Sequence, residues 1–357
     1  MLQQTTVFAS GTGGYHTYRI PALVLTTGGT LLAFCEGRKN SFLDSGDIDL
    51  LLRRSSDHGR TWGPARVVVP GAGNTAGNPA PVVDRTTGTV WLLFTGNGGH
   101  ETEAMINDGQ GARTVWSTFS ADDGVTWSAP REITSQVKKP GWTWYATGPG
   151  HAIQLQDGRL LIPCNHVDQA RADAQTPLAQ FCHAHGHSHV IYSDDHGASW
   201  EIGGITQPGT NESLLVETAD GRLYFNCRNY LPGKGRAVAW SCDQGVSFSP
   251  FTWDDALVGP CCQASAARFP AAGAGNAGLV LFANPASMAR KRLVIRASAD
   301  ECLTWNQGQV LNAGRSAYSD LSLAADGNMA CLYECGVNSA YEALVCARFD
   351  LDWLARG

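Results

Sequence analysis

Arginines, carboxylates and tyrosines stand at the ends of apolar strands along this 357-residue chain, where a fold could bring them together. Tyr18-Arg19-Ile20-Pro21 opens the first apolar strand, and Cys35-Glu36-Gly37-Arg38 ends the next, ahead of a polar loop and Asp44-Ser45-Gly46-Asp47-Ile48-Asp49. Glu212 precedes another strand; an Asp220-Gly221 hairpin then returns the chain to Arg228, so these two residues, sixteen apart, finish near one edge. Arg290 leads into Leu293–Ile295, and Tyr318 and Tyr333-Glu334 follow. Planar guanidinium groups stay charged at any working pH and match carboxylate geometry, so converging arginines would clamp an anion. A tyrosine, with an ordinary pKa near 10, is a weak nucleophile without a base in hydrogen-bond reach. Each residue also has a plainer reading. An arginine leading a strand can be a salt-bridged surface residue, and acidic loop residues can simply form turns.

The elements that would position these residues repeat. Five segments share a Ser-x-Asp-x-Gly-x-Thr-Trp-like pattern between apolar strands: Ser55–Trp62, Ser120–Trp127, Ser193–Trp200, Ser241–Phe248 and Ser298–Trp305. The aspartate closes a tight turn by accepting backbone N–H groups, glycine supplies a positive φ, and the aromatic residue anchors the turn. The copies recur about every 61 residues, so the chain holds roughly six units. Radial sheets of about four antiparallel strands make an all-β, six-bladed β-propeller. Strands such as Thr89–Phe94 and Arg159–Pro163 are bounded by turn signals such as Asp157-Gly158 and Asp326-Gly327, whereas long helical stripes are scarce. With no linker or low-complexity tract, residues 1–357 read as one domain.

Composition narrows the function classes. A net charge of −6 without a basic tract argues against nucleic acid and anionic membrane as partners. No run of 18 apolar residues exists, and MLQQTTVFAS lacks the form of a signal peptide. Eleven cysteines without paired C-x-x-C spacing read as buried free thiols rather than disulfides or a zinc site. The chain therefore reads as soluble, cytoplasmic if Met1 is the native start and secreted if a signal peptide has been removed.

The Tyr-Arg-Ile-Pro opening, the five Asp-box turns and the ordered Arg, Asp, Glu, Arg, Arg and Tyr together resemble the exo-α-sialidase (neuraminidase) family of six-bladed propellers, from about Gly11 to Asp350. The resemblance implies that Arg19, Arg228 and Arg290 form the triad that holds the sialic acid carboxylate. It implies Tyr318 as nucleophile, Glu212 as the carboxylate that activates it, and Asp44 as the general acid/base on a mobile loop, with Asp47 as its alternative. Glu334 would orient the first arginine and Arg38 would belong to the binding pocket. Two Asp-boxes depart from the pattern, with Phe248 for Trp and Cys302 for Gly.

The chemistry fits these residue types. Sialic acids carry a carboxylate on the anomeric carbon, so a second carboxylate approaching as nucleophile would be repelled, whereas a phenol is neutral until attack; sialidases are the tyrosine exception among glycosidases. The implied activity is retaining hydrolysis of terminal α-linked sialic acid from glycoproteins, glycolipids or oligosaccharides, with no cofactor and no metal. Alternatives on the same scaffold are a trans-sialidase, an intramolecular trans-sialidase and a non-catalytic sialoside-binding propeller. The segment Gly141–Gly150 is expected at the pocket rim. The run His183–His189 reads as a solvated loop entering a strand at Val190–Tyr192, with metal binding as the alternative.

Overall fold

Each Asp-box closes on itself through one set of hydrogen bonds. In the computed structural model, which describes residues 1–230, 235–269 and 278–356, Asp57 accepts from Ser55 Oγ at 2.8 Å, from the Thr61 backbone at 2.9 Å and from Thr61 Oγ1 at 2.6 Å. Ser55 Oγ in turn accepts from Gly59 N at 2.8 Å. The same arrangement recurs around Asp122, Asp195, Asp243 and Asp300. Two successive residues take positive φ, as at His58 (66°) and Gly59 (85°). In the fifth copy Cys302 adopts φ 69° and still donates to Ser298 Oγ at 2.9 Å. Losing the glycine therefore leaves the turn intact, at a left-handed backbone cost of about 1–2 kcal/mol.

The turns join antiparallel strands that pair in chain order. Thr17–Leu25, Leu31–Arg38, Ile48–Ser55 and Arg66–Val69 form one such group. Thr75–Val83, Val90–Asn97, Thr114–Ser120 and Arg131–Glu132 form another, bridged to the first by the single parallel pair Ile48 and Thr75. Leu160–Val167 pairs with Tyr145–Thr147 and Ile153–Gln154 on one side and with Gly186–Ser193 on the other, which Glu201–Ile205 follows. Thr210–Glu217, Leu223–Asn229, Arg236–Ser241 and Thr252–Asp254 make a four-stranded sheet of their own. Ser265–Phe269, Leu279–Pro285 and Lys291–Ser298 lead into the 15-residue strand Gln309–Leu323. The N-terminal part of that strand pairs backward with Lys291–Ser298, and its C-terminal part pairs forward with Met329–Gly336. Ala343–Phe349 follows, and the outer edge is completed by Leu2–Ala9. The two ends of the chain thus share one sheet.

Apolar residues alternate along these strands onto faces that pack between consecutive groups. Leu23, Leu31 and Leu51 pack with Ala330, Leu332 and Leu344, joining the first group to the last. Further clusters join each group to its successor: Phe34 and Leu52 with Leu92, Leu93 and Val115 with Leu160 and Ile191, Leu161 with Phe225, Leu214 and Tyr224 with Phe282, and Leu281 and Leu293 with Cys331 and Phe349. The Asp-box aromatics Trp62, Trp127, Trp200, Phe248 and Trp305 each pack in one of these inter-sheet clusters. They anchor sheet to sheet, a longer reach than the anchoring of the turn expected of them.

Two local expectations are corrected. The His183–His189 run is not a loop: Leu178–His185 is helical and Gly186–Ser193 is already strand, because the pairing of Gly186 through His189 with Cys164 through Val167 begins four residues before Val190. The eleven cysteines form no disulfide, but not all are buried; Cys242 and Cys261 are exposed.

Candidate active site

The first strand of a group repeatedly carries a β-bulge at its start. Pairing shifts between Arg19 and Ala22, between Gly77 and Ala80, between Thr210 and Ser213, and between Ser316 and Ser319. A bulge twists the strand locally and re-aims a side chain. At the first of them Ile20, a β-branched residue, has φ 60°, a strained conformation held by its N–H donating to Glu334 Oε1 at 3.0 Å. The bulges turn Arg19, Asn78, Glu212 and Tyr318 into one cavity of about 280 Å³.

That cavity is lined by Arg19, Arg38, Asp44, Glu212, Arg228, Arg290 and Tyr318 together. Glu334 lies directly behind. Fully buried, it takes Arg19 Nε at 3.0 Å and Nη2 at 3.3 Å in a two-point grip, and also accepts from the Tyr318 backbone N–H at 3.0 Å. One carboxylate therefore fixes both the first arginine and the backbone of the tyrosine.

The Tyr318 hydroxyl donates a short hydrogen bond to Glu212 Oε1, and Arg228 Nη1 reaches Glu212 Oε2 at 2.7 Å and the same hydroxyl at 3.1 Å. Burial and then the charge of Glu212 push the Tyr318 phenol well above its ordinary pKa, so it rests neutral. A neutral phenol bonded to a carboxylate has the arrangement that nucleophilic attack with a general base requires.

Arg290 is held differently. Its Nη1 donates to the Tyr341 hydroxyl at 2.7 Å and its Nη2 to the Cys261 carbonyl at 3.4 Å. No carboxylate among the described residues pairs with it, unlike Arg19 and Arg228. Tyr341 also lies under Arg19, with the guanidinium carbon 4.2 Å from the ring centroid, so one tyrosine touches Arg19 through a cation–π contact and Arg290 through its hydroxyl. Arg290 thus places a cation with no carboxylate partner among the described residues beside a neutral phenol, which suits a small carboxylate.

Asp44 stands at the mouth with its side chain 73 % exposed, 2.6 Å from Arg38 Nη2 and 3.5 Å from Arg19 Nη1. Desolvation by the surrounding walls acts to raise its pKa, but Arg38 and Arg19 outweigh that and hold it below the usual carboxylate range. Asp47, the alternative, turns away to Lys39 at 2.9 Å and does not line the cavity. Arg38 is fixed by Glu36 and by the Phe42 carbonyl on the loop that carries Asp44.

Several lining residues went unread in the sequence. Arg113 is buried under the face of Trp144 at 4.0 Å and donates to Asn78 and to the Tyr145 carbonyl. Glu103, on a short helix capped by Thr102, is raised to about 7 by burial, partly offset by Arg228. Glu36, Asn78, Asn165, Asn211 and Tyr230 complete the polar lining. In the sequence Glu36 stands out only as part of the strand end before Arg38, and the others belong to no motif. The expected rim segment contributes Trp144 and Ala146, and the helix Leu178–His185 contributes Leu178, Ala179 and Cys182. Among the histidines of the run, His189 is buried against His166 and Tyr145, and burial lowers it to about 3. His185 and His187 face Asp168 at 3.1 and 3.3 Å. The described residues contain no group of three or more His, Cys, Asp or Glu arranged to hold a metal.

Known proteins bear directly on this arrangement. A family model described as a BNR repeat-like domain matches residues 29–331. A sialidase of Micromonospora viridifaciens is 35% identical over 97% of the chain and 53% of its own length, so the chain spans about half of that relative. An exo-alpha-sialidase of Aspergillus fumigatus is 32% identical over 96% of the chain and 86% of its own length. Among solved structures, a Hadza microbial sialidase superposes with a TM-score of 0.87 at 31% identity, covering 99% of this chain and 69% of that one. Among the described residues no helix is long and apolar enough to cross a membrane.

Proposed function

The chain belongs to the sialidase family, and from that premise we propose that it is a retaining exo-α-sialidase that hydrolyses terminal α-linked sialic acid from sialylated glycans through Tyr318. The observation that carries this reading is the hydrogen bond from the Tyr318 hydroxyl to Glu212, with Arg228 touching both. Residues 1–357 act as one catalytic domain, a closed six-bladed propeller. Its support is the grouping of strands into four-stranded antiparallel sets, each packed on the next, with the first packed on the last.

Catalysis follows from the charges. The substrate carboxylate docks on Arg19, Arg228 and Arg290; the last gains most, having no carboxylate of its own to give up. Tyr318 Oη attacks the anomeric carbon as its proton passes to Glu212, and the bond to the leaving oxygen breaks as Asp44 protonates that oxygen. Water, deprotonated by Asp44, then displaces the tyrosine, and two displacements retain the anomeric configuration. Asp44 must carry a proton for the first step although Arg38 and Arg19 favour its ionised form. A substrate carboxylate on Arg19 offsets part of that field and raises the Asp44 pKa when it is needed.

The test follows hydrolysis of a fluorogenic α-sialoside and of 3′- and 6′-sialyllactose by NMR. The account expects free sialic acid released first as the α anomer and severe loss of turnover in Tyr318→Phe. Initial release of the β anomer, or an unimpaired Tyr318→Phe protein, would overturn it. An anhydro or transferred product would place the reaction with the transferring relatives of the scaffold.

A further inference from the structure

The bulge that aims Tyr318 leaves its backbone short of strand partners. Pairing between Gln309–Leu323 and Met329–Gly336 breaks off at Ser316 and resumes at Ser319, so the peptide groups around Tyr318 have no regular ladder on that side. Buried backbone N–H and C=O groups need partners. On one flank Glu334 accepts the Tyr318 N–H at 3.0 Å.

On the other flank stands Gln263, 2 % exposed, from the segment just before Ser265–Phe269. Its Oε1 accepts from Ser319 N at 3.1 Å and its Nε2 donates to Ser319 O at 3.0 Å. The side-chain amide thus pairs with residue 319 as a neighbouring strand would, through one donor and one acceptor. Nε2 also donates to the Pro149 carbonyl at 3.3 Å, tying residue 319 to a third segment of the chain. A carboxamide presents a donor and an acceptor side by side on one planar group, and Gln reaches further than Asn.

We infer that Gln263 is a positioning residue for the proposed nucleophile: by pairing with both backbone groups of Ser319, the residue after Tyr318, it holds the Tyr318 phenol against Glu212 and on line with the anomeric carbon. This inference rests on the sialidase reading. Gln263 does not line the cavity, so the substrate does not touch it. Its loss would displace the phenol while leaving the arginines in place, because they are held by Glu334, Glu212, Tyr341 and Cys261.

The experiment compares the parent with Gln263→Glu, which keeps the shape and an acceptor but loses the amide donor, and with Gln263→Met, which loses both. The readouts are melting temperature, kcat and KM on an aryl α-sialoside, and the rate of covalent labelling by 2,3-difluorosialic acid. In that labelling a bond forms from tyrosine oxygen to C2, fluoride leaves, and the phenol proton passes to Glu212. The expected result is a roughly tenfold to hundredfold fall in kcat and in labelling rate. KM should change little, the variants should still unfold cooperatively, and Gln263→Met should be the more impaired. Labelling at the parental rate in folded variants, or a KM increase without loss of labelling, would overturn the inference. A parent that hydrolyses sialosides but takes no label on Tyr318 would instead overturn the nucleophile reading, which separates the two failures. If Gln263→Met does not fold, Gln263→Glu carries the same test.

Discussion

At the residue scale two carboxylates pair with two of the three arginines, and Arg290 has no carboxylate partner among the described residues. Arg290→Lys removes planar two-point geometry from the arginine without a carboxylate partner, so KM should rise roughly tenfold to a hundredfold with a smaller change in kcat, measured on an aryl sialoside. Asp44→Ala should cost roughly 10²–10⁴-fold in kcat on sialyllactose. It should cost far less on a substrate whose phenolate leaves without a proton, and equal losses on both would remove Asp44 as the acid. Glu334→Ala leaves the buried Arg19 with only its long contact to the exposed Asp44 and should destabilise the protein by about 3–5 kcal/mol, read as a lowered denaturation midpoint. Arg19, Glu212, Arg228, Tyr318 and Glu334 were legible through the family resemblance that their order along the chain carries, although Tyr318 lies inside the long strand Gln309–Leu323 rather than at its end. Arg113 and Glu103 were not, since their place in the cavity comes from the packing of separate segments against Trp144 and Cys182.

At the element scale the Asp-box is a hydrogen-bonded clasp, and its aspartates are acidic for that reason. Bonds from the Thr126 hydroxyl, the Thr126 backbone and Ser120 hold Asp122 at about 2. A carboxyl lowered on folding stabilises above its unfolded pKa, and that contribution is lost as pH falls through the folded value. The melting temperature of Asp122→Ala should therefore fall below the parent's at pH 5 to 7, and the gap should close toward pH 2. A gap unchanged by acid would mean that the clasp does not depend on the carboxylate. These turns could be read from sequence because Ser, Asp and Gly act locally. The bulges could not, because a register shift such as that at Ile20 depends on a partner strand and on a distant carboxylate.

At the scale of the whole molecule, the pairing of the first strand with the last, and the packing of the first strand group on the last, explain why residues from opposite ends of the sequence meet. Arg19 and Glu334 lie 315 residues apart and share a two-point ion pair, and Leu2–Ala9 zips onto Ala343–Phe349 in the sheet that carries Glu334. Deleting residues 1–10 should expose the edge of Ala343–Phe349, lower the melting temperature and favour aggregation, checked by calorimetry and light scattering. A monomeric deletion product with parental stability would argue against a ring fastened at that strand. Five aromatic clasps at regular intervals made the repeat visible, but the interface holding Leu281, Leu293 and Phe349 has no Asp-box and was found only in the structure. The central claim is that this packing delivers Glu212 and three arginines onto a single phenol. It is tested most directly by trapping the protein with 2,3-difluorosialic acid and mapping the label by peptide mass spectrometry. The account predicts one sialyl adduct, on Tyr318; an adduct on Glu212 or Asp44, or turnover without any adduct on tyrosine, would contradict it.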